Sequence, residues 1–318
     1  MDARDEHVEK LRAAGIIPEE SNYRGKKVYV DLNKVFISPG VEIGEGSIIW
    51  PNVYLLSDTK IGENCEIGPD VTLEDTTIGN NTRIKHGCEI ARSQIGSNCE
   101  LNPFCYINNS RIGDSCTIWV NVSMLRAEIR EKVVVHRDSR IVWTQIGENS
   151  NIEAACQLKY IRAGPNCVIC HSIIEGDKFD EETLKSGKRS ILIGRSCAIG
   201  PWAYIYGSVI INPEARIAGA DITNSFIGKR VRAYRCRISD AKILHDAIIE
   251  EGAWIHNNSK IGPYCEVSRV EIGGSRMPNW SSSYKNGWPL IQALPSNKPI
   301  KSPKSKNPSA HFKQNKCP

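Results

Sequence analysis

Apolar side chains recur along this chain at a fixed interval, with short polar segments between them. The residues that start each repeat lie seventeen positions apart: Ile61, Ile78, Ile95, Ile112, Ile129, Ile146 and Ala163, and after a break Ile193, Ile210, Ile227, Leu244 and Ile261. Ile43 comes eighteen positions before the first of them. Self-similarity at a fixed period is typical of a solenoid, in which each repeat packs on its neighbours.

Each repeat divides into steps of six, six and five residues, as in Ile61, Ile67 and Leu73. Turn formers such as GEN, GPD and GNN separate the steps, and no window keeps helical i, i+3, i+4, i+7 spacing for ten residues. Three short strands per repeat predict a triangular coil. One coil buries too few aliphatic side chains to offset its backbone entropy, so the coils must stack and pair at about 4.8 Å.

Most of the twelve cysteines follow the same repeat. Cys65, Cys99 and Cys116 each lie four positions after the start of a repeat, where other repeats carry Thr, Ser or Val, and Cys88 and Cys105 form a second column. Cysteine is a small apolar residue that fits such a column. Disulfide frameworks belong to short secreted chains, and the single CxxC pair, Cys167 and Cys170, has no second pair at zinc spacing. We expect these thiols to be buried and reduced.

Charge and composition divide the chain into three regions. Residues 274–318 contain eight Lys and Arg and no acids, so the net charge of +5 leaves 33 bases against 36 acids, about −3, in the remainder. This basic tail is rich in Pro, Ser, Asn and Lys, which predicts disorder and argues against a nucleic-acid role. Residues 1–34 are expected to form a helix (4–14) and a cap. Residues 35–273 are expected to form the solenoid.

The chain contains no run of eighteen apolar residues, and its N-terminus is charged rather than a basic-then-apolar leader. This pattern predicts a cytoplasmic protein without a membrane segment.

The periodicity is interrupted once. The interval from Ala163 to Ile193 is thirty residues, one coil plus thirteen, and the charged segment near 173–190 supplies the excess. Loops that project from a rigid solenoid often carry its function. The other interpretation is a tolerated surface loop, because long insertions cost little entropy.

The repeated pattern [Ile/Leu/Val]-Gly-x-x-x-x resembles the hexapeptide motif of the acyltransferases that fold as a left-handed parallel β-helix. Over about residues 35–225 the chain is most similar to the acetyltransferase half of the bifunctional bacterial enzyme that acetylates glucosamine 1-phosphate and uridylylates the product, as in CEIGPDVTLEDTTIGNNTRIKHGCEIARSQIGSNCELNPFCYI. The resemblance implies a left-handed coil, a homotrimer, acetyl-CoA or another acyl-CoA as co-substrate between subunits, and a sugar phosphate or sugar nucleotide as acceptor.

The family's acceptor site is matched only in part. Leu125-Arg126 matches its Leu-Arg pair, but Val142-Trp143 stand in place of its Lys and Ala154-Ala155 in place of its catalytic His. Its Asn-Tyr-Asp-Gly loop falls on Glu175-Gly176-Asp177. An amine acceptor must lose a proton as it attacks a thioester, and His is the usual base. Either another residue supplies the base, or the reaction is lost.

If the insertion supplies the missing chemistry, His171 or Asp177 acts as base, while Arg126, Lys178 and Glu175 bind the acceptor. A histidine at a coil corner is more often a solvated surface residue, which weighs against His171 and equally against His136. The zinc-binding carbonic anhydrases of this fold carry H-x-x-x-x-H, which this sequence lacks, so no metal site is predicted. The competing hypothesis is a non-catalytic protein that binds sugar nucleotides or acts as an assembly scaffold.

Overall fold

The computed structural model describes residues 20–23, 25–31, 34–176, 191–200, 203–219, 221–235, 237–250, 253–256 and 258–267, and further strands at 271–273, 276–277 and 282–283. This part of the chain consists of 44 short strands, named β1 to β44 in chain order, which form three sheets along the faces of a triangular coil. No helix occurs in it. The predicted all-β, parallel β-helix fold with coils of about seventeen residues is confirmed.

The first face begins each coil and has fourteen strands. They are β4 (Glu42–Ile43), β7 (Lys60–Ile61), β10 (Thr77–Ile78), β13 (Gln94–Ile95), β16 (Arg111–Ile112), β19 (Glu128–Ile129), β22 (Gln145–Ile146), β25 (Ile161–Ala163), β28 (Ile191–Ile193), β31 (Val209–Ile211), β34 (Phe226–Ile227), β37 (Lys242–Ile243), β40 (Lys260–Ile261) and β43 (Arg276–Met277).

The second face has sixteen strands. They are β1 (Glu20–Tyr23), β2 (Lys26–Val30), β5 (Ile48–Ile49), β8 (Glu66–Ile67), β11 (Arg83–Ile84), β14 (Glu100–Leu101), β17 (Thr117–Ile118), β20 (Val134–Val135), β23 (Asn151–Ile152), β26 (Val168–Ile169), β29 (Ala198–Ile199), β32 (Arg216–Ala218), β35 (Arg232–Tyr234), β38 (Ile248–Ile249), β41 (Glu266–Val267) and β44 (Ser282–Ser283).

The third face has fourteen strands. They are β3 (Val35–Ile37), β6 (Val53–Leu56), β9 (Thr72–Glu74), β12 (Glu89–Ala91), β15 (Tyr106–Asn108), β18 (Ser123–Leu125), β21 (Arg140–Val142), β24 (Gln157–Lys159), β27 (Ile173–Glu175), β30 (Tyr204–Tyr206), β33 (Asp221–Thr223), β36 (Arg237–Ser239), β39 (Trp254–His256) and β42 (Glu271–Gly273).

Neighbouring coils pair in parallel, so equivalent residues stack in columns. Ile78 pairs with Ile61 on one side and Ile95 on the other, and all three side chains point into the core. A coil turns three corners, named here the first (between first and second faces), the second (between second and third) and the third (between third and first). Side chains on one side of each strand point into the core, and those on the other side point outward.

The register predicted after the break is wrong at two positions. Ile193 pairs with Ile211, not Ile210, and Ile227 pairs with Ile243, not Leu244. The coils that start at residues 193, 211, 227 and 243 have lengths of 18, 16, 16 and 18 residues, which average seventeen and restore the predicted phase at residue 261. A slip of one residue turns a side chain to the opposite face, so Ile210 is exposed and Ile211 is buried.

The interruption is narrower than the sequence indicated. Ile173–Glu175 is a rung of the third face, paired with β24 and β30, so the insertion starts after Gly176 and residues 177–190 lie outside the described part. At the N-terminal end, β1 pairs antiparallel with β2, and β2 stacks on β5. The predicted helix at 4–14 and most of the tail from 274 also lie outside the described residues.

The cysteine columns are buried as predicted, and the structure gives them a second role. Ten cysteines are described; all are free thiols, and nine are buried. The Cys99 thiol donates to the carbonyl oxygen of Gly113 on the next coil at 3.1 Å, and the Thr82 hydroxyl makes the equivalent bond to Gly96 at 2.8 Å. The column therefore selects small residues that can satisfy a corner carbonyl.

The described segments contain no helix of the length and apolar character that crossing a bilayer requires.

Candidate functional site

The third corner carries an unusual set of side chains on consecutive coils. Its turning residue has positive φ on every one of these coils, a conformation that suits Gly, Asn and Asp. Five consecutive coils place Arg92, Asn109, Arg126, Trp143 and Tyr160 there, with φ between 48° and 57°. Bulky side chains in this region cost of order 1–3 kcal/mol each and concentrate at functional sites. We name this column the corner ridge.

Two ridge residues contact each other directly. The guanidinium of Arg126 lies 4.7 Å from the centroid of the Trp143 ring, one coil further along. Arg126 is exposed and Trp143 is half-buried. This contact orients the guanidinium beside an aromatic face.

A short hydrogen-bond chain fixes the N-terminal part of the ridge. The buried Asn108 accepts at Oδ1 from Asn109 Nδ2 at 2.7 Å and from Arg92 Nη2 at 3.4 Å. Asn108 Nδ2 donates to the Tyr106 hydroxyl at 3.2 Å. The amide therefore holds three neighbouring polar groups in place at one corner.

The C-terminal part of the ridge ends at the insertion. Lys159 precedes Tyr160, and its Nζ lies 3.1 Å from Glu175 Oε1 on the next coil. The buried Gly176 follows, and the chain then enters the insertion. Glu175, predicted to bind the acceptor, is thus placed beside the ridge and paired with a lysine.

The predicted site residues do not all come together. Arg126 and Glu175 both lie at the third corner, three coils apart, whereas His171 turns the second corner, exposed and with φ of 37°. His171 and Arg126 therefore stand at opposite ends of the third face and three coils apart, which separates them by well over about 10 Å. Asp177 and Lys178 lie outside the described residues.

The other histidine weighed from the sequence also lies at the second corner. His136 stacks on Trp119 with ring centroids 5.8 Å apart and an interplanar angle of 4°. Within the described ranges, no group of three His, Cys, Asp or Glu side chains is placed to hold a metal ion.

Sequence reasoning missed Arg92, Tyr160 and the Asn108 network, and read Trp143 only as a lost lysine. A signal was present, because residues 92, 109, 126, 143 and 160 are each seventeen apart. Because the column points outward and mixes Arg, Asn, Trp and Tyr, it adds nothing to the apolar periodicity.

The ridge combines the chemistry needed to hold a sugar phosphate. Arginine forks bind phosphate oxygens in pairs, and the Trp143 and Tyr160 rings offer flat apolar surfaces to a sugar or a base. The Lys159–Glu175 pair adds a donor and an acceptor for hydroxyl or amino groups.

Comparison with known proteins agrees with the repeat. Residues 32–111 match the family model described as the GMPPB C-terminal domain. The bifunctional protein GlmU of Fervidobacterium nodosum is 40% identical over 67 residues, covering 21% of this chain and 12% of that protein. GlmU of Listeria welshimeri is 32% identical over 98 residues, covering 28% and 21%. The chain thus spans between 12% and 21% of the length of these two relatives.

The solved structures that the chain matches include a UDP-N-acetylglucosamine acyltransferase, with 18% identity, a TM-score of 0.26 and coverage of 64% of this chain and 70% of that one. Another is the perosamine N-acetyltransferase of Caulobacter crescentus, with 16% identity, a TM-score of 0.24 and coverage of 42% and 60%. The predicted resemblance to hexapeptide-repeat acyltransferases, and to the acetyltransferase half of GlmU, is confirmed.

Proposed function

From this similarity to hexapeptide-repeat acyltransferases, we propose that the chain is an acyltransferase-type protein that holds an amino-sugar phosphate or sugar nucleotide on the corner ridge. The observation that carries the proposal is the run of bulky side chains at strained positions on consecutive coils, including Arg92, Arg126, Trp143 and Tyr160. Residues that are costly for the fold at four coils of one corner are best explained by a ligand.

The roles follow from the contacts. Arg126, oriented by Trp143, takes the phosphate, and Arg92 reaches the same charge from the N-terminal side. Tyr160 and Trp143 cover the sugar or base. Lys159 and Glu175 bind hydroxyl or amino groups beside the insertion, and Lys178 is proposed to add a second cation.

Acyl transfer is the proposed reaction, with acetyl-CoA or another acyl-CoA as donor. The acceptor amine attacks the thioester carbonyl, a C–N bond forms, the C–S bond breaks, and the amine proton passes to a base while CoA leaves as the thiolate. Asp177, which follows the ridge in sequence, and His171 are the proposed bases. His171 lies at a distant corner of its own subunit, so it reaches the acceptor only from a neighbouring subunit. The proposal therefore includes a homotrimer. Its proposed location is the cytoplasm.

A second candidate is ligand binding without transfer. It is favoured by one observation: the five ridge residues include no imidazole and no carboxylate, and Glu175 beside the ridge is paired with Lys159. Such a protein would bind the sugar nucleotide and leave its chemistry to a partner.

The test measures thiol release from acetyl-CoA with glucosamine 1-phosphate and a panel of amino-sugar nucleotides, together with calorimetric binding of each acceptor. Arg126→Gln should weaken acceptor binding on the order of tenfold or more. Asp177→Asn and His171→Gln should each leave binding unchanged, and the true base should lower turnover on the order of 10²-fold or more.

Lys132→Gln is the matched control, because Lys132 is an exposed cation at a positive-φ corner residue, but at the first corner. Its binding and turnover should equal those of the unmodified protein. Binding that depends on Arg126 without any turnover selects the second candidate. Absence of both binding and turnover across the panel refutes the proposal.

A further inference from the structure

We propose a second, separate anion site on the second face, where a trough beside Arg216 and Arg232 takes a phosphate or diphosphate group carried by a small, partly apolar molecule. A cavity of about 590 Å³ opens there over the coils that contain β26, β29, β32, β35 and β38. It is independent of the corner ridge and of any acyl transfer.

Two arginines form one wall of the trough. Arg216 and Arg232 occupy the same outward position on adjacent parallel strands and are Cα partners in register. Both are exposed, and no described hydrogen bond or ion pair engages either guanidinium. Like charges at directly paired positions destabilise a sheet, so an unpaired arginine pair of this kind is suited to an anion that bridges it.

On an earlier coil, the same outward position carries an arginine that is paired with an acid, which provides a comparison. Arg83, on β11 of the second face, lies 3.6 Å from Glu66 Oε2 on the preceding coil. Its corner neighbour is Lys85 rather than a small residue. Neither arginine of the trough has a described acidic partner, and the corner neighbour of Arg216 is the small residue Ala218.

Small residues form the floor. At the second corner, three consecutive coils place the small residues Cys170, Gly200 and Ala218, whereas earlier coils place Trp119 and His136 at the equivalent position. The change from large to small side chains opens the cavity. A Cβ added to Gly200 would lie 3.1 Å from Ala218 Cα and Cβ, so the floor is already closely packed.

The far end of the trough is mixed in character. Ile248, next in register after Arg232, is 38% exposed, and the Tyr234 side chain is 48% exposed. Their apolar surface suits the organic part of a ligand. The Glu250 carboxylate lines the same end and repels an anion, so the phosphate should sit toward Arg216 and the uncharged part toward Tyr234.

The spacing of the arginines favours two adjacent negative groups. Paired strands lie about 4.7–4.9 Å apart, so each guanidinium can hold one phosphate of a diphosphate, or both can hold one phosphate group. Pyrophosphate should therefore bind more tightly than orthophosphate, and a nucleoside diphosphate more tightly than pyrophosphate if its base packs on Tyr234 and Ile248.

The test is calorimetric titration of the full chain with sodium orthophosphate, sodium pyrophosphate and uridine diphosphate at low salt. The double variant Arg216→Gln/Arg232→Gln should weaken pyrophosphate binding on the order of tenfold or more. Ala218→Leu should weaken it to a similar degree by filling the trough, with no change in charge. Arg83→Gln, which removes an arginine at the same outward position but outside the trough, should bind like the unmodified protein.

Thermal unfolding of each variant confirms that the coil is intact. No saturable pyrophosphate binding, or equal binding in the double variant, refutes the site. Loss of self-association in the double variant, with no anion binding in the unmodified protein, also refutes it and assigns the arginines to a contact between copies.

Discussion

The guanidinium of Arg126 rests 4.7 Å from the centre of the Trp143 ring, and both residues turn the third corner with positive φ. Neither residue is the choice that the backbone alone would select, since Asn, Asp or Gly fits this conformation at less cost. Their contact on adjacent coils, together with Arg92 and Tyr160 at the same corner, supports the binding role proposed for the ridge.

Replacing Trp143 should separate stability from binding. Trp143→Asn removes a half-buried ring and the cation–π contact but relieves the strained backbone, so the free energy of unfolding should change by less than about 1 kcal/mol. Binding of the sugar-nucleotide panel should fall on the order of tenfold, because the ring no longer orients Arg126. Urea unfolding and calorimetry measure the two effects.

Lys132→Asn is the control for this change, because it relieves a similar corner, with φ of 57°, away from the ridge. It should leave binding intact. If Trp143→Asn lowers the unfolding free energy by several kcal/mol and keeps binding, the ring is a packing element and the ridge loses its main support.

The cysteine column should accept a hydroxyl in place of a thiol. Cys99→Thr keeps a donor for the Gly113 carbonyl, as Thr82 does for Gly96, and should cost less than about 1 kcal/mol. Cys99→Ala removes the donor and leaves a void, and should cost about 1–3 kcal/mol. Chemical denaturation of both variants measures the difference; equal costs would mean that the thiol contributes volume alone.

Alkaline pH should weaken the fold through the buried thiols. Burial raises the pKa of Cys156 from 9.0 to about 11. Above pH 9 the unfolded state releases this proton while the folded state retains it, so the stabilisation is complete below pH 9 and is lost as pH rises through 11. The total is at most about 2–3 kcal/mol.

Cys156→Ser isolates this effect, because a serine hydroxyl can still donate to the Ile169 carbonyl that the thiol contacts at 3.4 Å. Its unfolding free energy should fall less steeply between pH 9 and 11. Parallel slopes for the two proteins would assign the alkaline loss to other groups.

The sequence predicted the fold because burial is periodic: an inward apolar residue recurs on each of the three strands of a coil and leaves a pattern that spacing alone reveals. It failed at Ile210 and Leu244 because compensating coils of 18 and 16 residues preserve the average period while shifting the local register. Only strand pairing distinguishes these alternatives, since Ile210 and Ile211 are equally apolar.

The candidate site was predictable only in part, for a different reason. Arg126 was found through a family motif, but His171 and Asp177 were linked by closeness in sequence, and a coil of sixteen or seventeen residues sends neighbours in sequence to different corners. His171 and Glu175 are four residues apart yet lie at opposite ends of β27. Proximity in a solenoid follows the seventeen-residue column, not the chain.

The apolar column Leu192, Ile210 and Phe226 should form the contact between subunits. These residues are in register on the outward side of the first face, where earlier coils carry Arg111, Glu128 and similar polar residues, and Leu192 and Ile210 are 39% and 41% exposed. Exposed apolar side chains in register mark an association surface. Light scattering should give a trimer near three times 35.4 kDa.

Leu192→Glu/Ile210→Glu should convert this trimer to a monomer while leaving the coil folded, because both side chains point outward. The ridge borders the same face, so acyl transfer should fall with the trimer if a neighbouring subunit completes the site, whereas anion binding at Arg216 and Arg232 should persist. Ile248→Glu, an exposed apolar position on the second face, is the matched control and should remain trimeric. A monomer at all concentrations in the unmodified protein would remove the subunit contact and favour ligand binding without transfer.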